Sequence, residues 1–142
     1  MSRTFFAVFF VLLLTPLFGA GDGWDHYATF SLEKDQKQTI EIHEGKRIHR
    51  LTFRWTLYKN GGLVMHVNYD KHSYQPLLYA RYRLDSYKID LFPKADDASR
   101  QNFETPYALI AFKAFDGKKR RAALDLMIKD YGMSEIFYAE GK

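Results

Sequence analysis

The sequence predicts an all-β fold: a single-domain antiparallel β-sandwich or small barrel of about nine strands, with one short helix or ordered loop near residues 95–103. Three observations carry this. Apolar and polar side chains alternate with period two along most of the chain beyond residue 22. Asn, Asp, Gly and Pro interrupt the alternating runs at short intervals. The apolar stripe of a surface helix is mostly missing.

The first segment reads differently. Arg3 supplies a positive start, residues 5–14 (FFAVFFVLLL) form an unbroken apolar run, Pro16 ends it, and Gly19-Ala20-Gly21 follow. That order is the anatomy of a secretory signal peptide. A spanning helix needs about 20 apolar residues, so the run is too short for a lasting anchor. A cut after Gly21 places small Gly19 three positions before the scissile bond, where a cut after Ala20 would place Phe18. The expected mature domain is therefore residues 22–142, starting at Asp22, in a periplasmic or secreted location. An exported chain of this kind without cysteine reads as bacterial.

Strands are expected next at residues 27–32 and 38–43. The clearest alternation runs over 48–58. Leu51, Phe53, Trp55 and Leu57 point one way, and Arg50, Thr52, Arg54 and Thr56 the other. After Asn60-Gly61-Gly62 the pattern resumes with Leu63, Met65, Val67 and Tyr69. A one-residue slip turns a whole strand over, so apolar must meet apolar. A two-residue loop would set Trp55 against His66. A three-residue loop sets Trp55 against Val67 and Phe53 against Tyr69, with glycine for the left-handed position, and is the predicted connection.

A turn at Gln75-Pro76 leads to a second predicted hairpin, in which Ala80, Tyr82 and Leu84 face Leu91, Ile89 and Tyr87, and Arg81 stands opposite Asp90. The polar stretch 95–103, with Asp96 and Asp97 near its start, suits a short helix. A third hairpin joins 107–115 to 120–129 through Asp116-Gly117. Leu109 faces Leu124 and Ala111 faces Ala122, while Ile110, Phe112 and Met127 occupy the other face, so both faces are partly buried. A last strand is expected at 134–139.

Composition bounds the chemistry. The chain has 142 residues, no cysteine, and 12 Phe, 10 Tyr and 2 Trp. Disulfides, thiol catalysis and cysteine-bound metals are impossible, so stability must come from burial and hydrogen bonding. Each buried aromatic removes roughly 150–250 Å² from water, which supplies a workable core. The net charge of +4 suits an anionic neighbour without requiring one. Export argues against nucleic acid as a partner.

Candidate sites are few. The polar face of the first hairpin gathers Arg50, Arg54, His66, Asn68 and Asp70, which are the predicted ligand-binding residues, for an anionic or sugar-like ligand. An ordinary solvated sheet face would look the same. Lys118, Lys119, Arg120 and Arg121 at the third hairpin's tip fit a peripheral contact with an anionic membrane, or a charged end that prevents edge pairing. The five histidines are His26, His43, His49, His66 and His72. They do not converge as a metal site, and His-Glu-x-x-His spacing is absent. Ser134 lacks the second glycine of a nucleophile elbow, and Asp96-Asp97 make a poor acid–base pair. A spanning β-barrel is disfavoured because 87–92 is shorter than the 9–11 residues such strands need.

The functional expectation is an exported β-domain that acts as a ligand-binding or protein-interaction module without catalysis, metal or cofactor. Its partner would be an exported protein, an anionic surface or a small ligand. An interior lined by Phe53, Trp55, Tyr69, Tyr82 and Leu91 would suit an apolar ligand. The alternative is a metal-dependent or hydrolytic enzyme using the His66/Asp70/His72 region.

Overall fold

A computed structural model describes residues 23–92 and 105–139. The segment read as a signal peptide and the short helix or loop near 95–103 lie outside the described residues. The rest is all-β, with ten strands in two antiparallel sheets: β1 (His26–Glu33), β2 (Gln38–Glu44), β3 (Arg47–Lys59), β4 (Gly62–Tyr69), β5 (His72–Tyr74), β6 (Leu77–Tyr79), β7 (Ser86–Asp90), β8 (Tyr107–Asp116), β9 (Arg121–Lys129) and β10 (Glu135–Ala139). One sheet has the order β1-β9-β8-β7. The other runs β10-β2-β3-β4-β5, with β6 also paired to β4. Neither sheet closes on itself.

The count of nine needs correction, and the reason is local. The run at 80–84 is a turn rather than a strand. Arg81 adopts a left-handed conformation at φ 67°, and the Tyr79 N–H bonds to the Leu84 carbonyl at 3.0 Å. Tyr82 and Leu84 are left 71% and 64% exposed, so Tyr82 lines no interior. In place of that strand, β5 and β6 form one interrupted edge beside β4. Pro76 has no N–H to give, which confines it to an edge. Its carbonyl still accepts from Met65 N–H at 2.9 Å. The expected second hairpin does not form, because β7 pairs with β8 instead.

The first hairpin uses a two-residue loop, Asn60-Gly61, and not the three-residue loop expected. Both residues have positive φ, 53° and 80°, the conformation that matches strand twist in such tight turns. The mismatch that argued against this loop is removed by a β-bulge. Leu57 pairs with Val64 and Trp55 with Met65, leaving Thr56 as the extra residue. The predicted pairs shift accordingly, to Phe53 with Val67 and Leu51 with Tyr69.

A second bulge, at Lys113, corrects the third hairpin. Phe112 pairs with Leu124 and Ala114 with Ala123, and the loop spans residues 117–120. Before the bulge Ala108, Ile110 and Phe112 face the core. After it Phe115 does, opposite buried Ala122. The two bulges bring Tyr58 and Phe115 together at the margin of the core, where their rings stack with centroids 3.9 Å apart and Tyr58 stays 36% exposed. The hairpin's other face also holds buried groups, as expected: Ala111, and Asp125, which accepts from the Tyr27 hydroxyl at 2.7 Å.

Both sheets contribute to one buried cluster. Its largest member is Trp55, whose indole N–H donates to the Leu32 carbonyl of the opposite sheet at 2.8 Å. Trp55→Phe leaves that carbonyl unpaired and should cost about 1–3 kcal/mol. In urea the midpoint should fall with an unchanged slope; an unchanged midpoint would show that this bond does not couple the sheets.

Candidate functional site

Four of the five predicted ligand-binding residues, Arg50, Arg54, His66 and Asn68, share one face, and the structure gives three of them internal partners. Arg54 stands opposite His66 and Thr52 opposite Asn68, whereas the expected three-residue loop would set Arg54 against Asn68 and Thr52 against Asp70. Arg50 Nη2 donates to Glu41 at 3.4 Å, and Arg54 forms an ion pair with Asp35 at 3.5 Å. Asn68 Oδ1 accepts from the Ser73 hydroxyl at 2.6 Å. A hydrogen bond to His43, reinforced by Arg50, holds the Glu41 carboxyl below its usual range. This surface behaves as a braced sheet face.

Asp70 belongs to a different place. It follows β4 in a left-handed conformation, φ 51°, and its carboxylate turns back to β3. Oδ1 accepts from Arg50 N–H at 3.0 Å, and Oδ2 lies 2.7 Å from His49 Nδ1. His49 Nε2 lies 3.4 Å from Glu44, and the imidazole stacks on Tyr69 at 5.8 Å and tilts against Phe92 at 4.9 Å. His66, on the outward-facing parity of β4, and His72, paired with inward-facing Tyr69, lie on opposite faces of the sheet. The His66/Asp70/His72 region therefore does not converge. Among the described residues no three His, Asp or Glu side chains are placed to hold a metal ion.

His49 and Asp70 form the floor of a cleft of about 780 Å³ that the sequence did not reveal. One wall comes from the start of β3, the β4–β5 turn and β5, and the other from β7. The cleft thus opens where an edge of one sheet faces an edge of the other. Tyr69, Tyr74, Tyr87 and Ile89 supply apolar surface, with the Tyr74 and Tyr87 rings 5.8 Å apart. Arg47, Lys71 and Lys88 supply positive charge. Lys88 lies 3.8 Å from Asp90 and 4.6 Å from the Tyr107 ring centroid, whereas Arg47 and Lys71 have no carboxylate partner among the described residues. Period-two counting found the sheet face because one hairpin holds it. The cleft draws on four separate elements, and only His72 and Asp70 hinted at it.

Two further places hold candidate residues of the sequence. Lys118, Lys119 and Arg120 project from the β8–β9 loop, but Arg121 is tied down by bonds to Ser31 and Glu33. Ser134, His26 and Asp130 do come together, with an arrangement unlike a nucleophilic triad. Ser134 Oγ and His26 Nε2 both address Oδ2 of the fully buried Asp130, so the carboxylate sits between them. Nucleophilic activation requires the imidazole in the middle. The cluster instead fastens the start of β1 to the β9–β10 connection. Asp25 joins it by accepting from the N–H groups of Asp130 and Tyr131.

No protein-family model matches the chain, and no curated protein or solved structure is significantly similar to it. The functional reading therefore rests on geometry.

Burial pushes the Tyr69 hydroxyl up to about 12; the Phe92 N–H bonded to it opposes this, and the charges of Asp70 and Glu44 reinforce it. A phenol whose folded value exceeds the ordinary 10.0 contributes stability that is complete below that pH and lost as pH rises through the folded value. Stability should therefore decline between pH 10 and about 12, and Tyr69→Phe should weaken that decline. Urea midpoints across this range check it; an equal decline in the variant would contradict a buried phenol at the cleft floor.

Proposed function

We propose that this protein is an exported, periplasmic or secreted, non-catalytic binding module that holds its ligand in the cleft between β5 and β7. The reading takes the two sheets as layers of a β-sandwich, since they share one buried cluster. One observation carries the proposal: tyrosine-lined apolar surface lies beside Arg47 and Lys71, which have no carboxylate partner among the described residues, in a cleft of about 780 Å³. Ligand sites are typically concave, mostly apolar and supplied with a few polar groups, at about 300–1,000 Å³. On the outer face of β3 and β4, by contrast, Arg50, Arg54 and Asn68 are engaged by Glu41, Asp35 and Ser73. Any peripheral contact with an anionic membrane would fall to Lys118, Lys119 and Arg120, because Arg121 is engaged. The enzyme alternative gains no support from the positions of His66, Asp70 and His72.

Two measurements test this. N-terminal sequencing of the exported protein should begin at Asp22; retention of the first residues would overturn the export reading. Amide shifts of labelled protein against panels of acidic oligosaccharides and acidic peptides should cluster at residues 70–74 and 87–90. Tyr74→Ala combined with Tyr87→Ala should abolish them. Shifts confined to Thr52, Arg54, His66 and Asn68 would move the site to the outer face, and silence across both panels would remove the cleft reading.

A further inference from the structure

The cleft's β7 wall is a strand edge with no partner among the described residues, and its hydrogen-bond phase can be read from the bonds that flank it. Leu91 N–H donates to the Pro106 carbonyl and Phe112 N–H to the Asp85 carbonyl, each at 2.7 Å. Between them Ile89 pairs with Ala108 and Tyr87 with Ile110. In an antiparallel pair, residues that bond the neighbour alternate with residues whose N–H and C=O point away. Asp85, Tyr87, Ile89 and Leu91 thus bond β8, while Ser86, Lys88 and Asp90 turn their backbone groups to the free side. Among the described residues no strand lies there, since β7 ends its sheet. Lys88 and Asp90 both line the cleft.

Part of the facing edge is already occupied. At β6 the Tyr79 N–H is taken by the Leu84 carbonyl, so the loop at 80–85 covers that end. The free groups of β7 recur every second residue, about 6.8 Å apart. An extended peptide backbone carries donors and acceptors at that same repeat; a sugar or an acyl chain does not. The side-chain environment narrows the sequence. Tyr74, Tyr87 and Ile89 suit aliphatic or aromatic side chains on one face of an added strand, and Arg47 and Lys71 complement carboxylates.

Resting on the cleft as the binding site, we propose that an extended, acidic peptide segment of a partner protein adds to β7 as a further strand. This is recognition by strand addition, where the main chain supplies affinity and alternate side chains supply specificity.

The probe is a synthetic capped hexapeptide alternating valine and glutamate, added to the full protein. Hydrogen exchange at Ser86, Lys88 and Asp90 should slow by about tenfold or more, while Tyr87 and Ile89, already bonded to β8, should not change. A peptide N-methylated at alternate residues should lose the effect, and a valine–lysine peptide should bind more weakly. Lys88→Pro removes one free N–H without touching a bond to β8, and should weaken binding. Peptide binding without alternating protection, or equal binding of the N-methylated peptide, would overturn strand addition. Oligogalacturonate shifting the cleft amides while the peptide stays silent would overturn the peptide class and leave the cleft reading intact; if both are silent, both readings fall. Concentration-dependent protection of the same three amides without peptide would identify a second copy of this chain as the occupant and overturn the partner proposed.

Discussion

One constraint governs this molecule: the inward side chains of two separate sheets must meet in a single core, with no cross-link to hold them. Side chains on a strand alternate strictly, so each strand has one parity to spend on the interior. Strands β3 and β8 are long, and neither keeps a single parity along its length. Each resolves the conflict with one extra residue, Thr56 in β3 and Lys113 in β8. The bulges bring Tyr58 and Phe115 together at the same margin of the core. Trp55, T-shaped against Phe115 at 5.5 Å, then bridges to the opposite sheet through Leu32. Aromatic packing and one indole bond do what a disulfide does in many small exported domains.

Much of the fold was legible because the alternation is strong. The strands at 27–32, 38–43 and 134–139 match β1, β2 and β10 to within one or two residues, and the all-β class follows from the same pattern. What escaped was whatever breaks the alternation. A bulge leaves no mark in a hydrophobic pattern read with a fixed period, so period two groups Leu57 with Trp55, whereas the structure leaves Leu57 49% exposed. In the third hairpin, a tight turn at Asp116-Gly117 sets Leu109 against Leu124 and Ala111 against Ala122, whereas the loop spans 117–120 and the bulge at Lys113 shifts the strand again, so Leu109 meets Met127 and Ala111 meets Asp125. The run 80–84 shows the opposite failure. Its alternation is real, yet Arg81 in the left-handed region and the returning Leu84 carbonyl make it a loop.

The candidate site was harder to see for a related reason. Pattern reading collects residues that share a face of one hairpin, and such faces are commonly consumed by partners from neighbouring strands and turns, as Arg50, Arg54 and Asn68 are here. A cleft made where two sheet edges face each other needs the strand order, which a single sequence does not state. Asp70 illustrates the difference. Assigned to the polar face by its parity with His66 and Asn68, it leaves the strand in a left-handed turn and reaches His49 instead. The cleft's charge follows from this: with Asp70 committed to β3, Arg47 and Lys71 keep their positive charge facing the opening.

The pairing of β1 with β9 and of β2 with β10 also has a temporal meaning. Each sheet sets an early strand beside a late one, and bonds such as His26 to Asp130 and Tyr27 to Asp125 close loops of about a hundred residues. Contacts that distant must be closed before they are rewarded, which makes assembly slow. Chain emerging in order from its N-terminus finds no partner for β1 until β9 arrives, nor an outer neighbour for β2 until residue 139. The half-made molecule therefore stays unlocked. For the export proposed above, that delay keeps the polypeptide threadable until almost its last strand has been delivered.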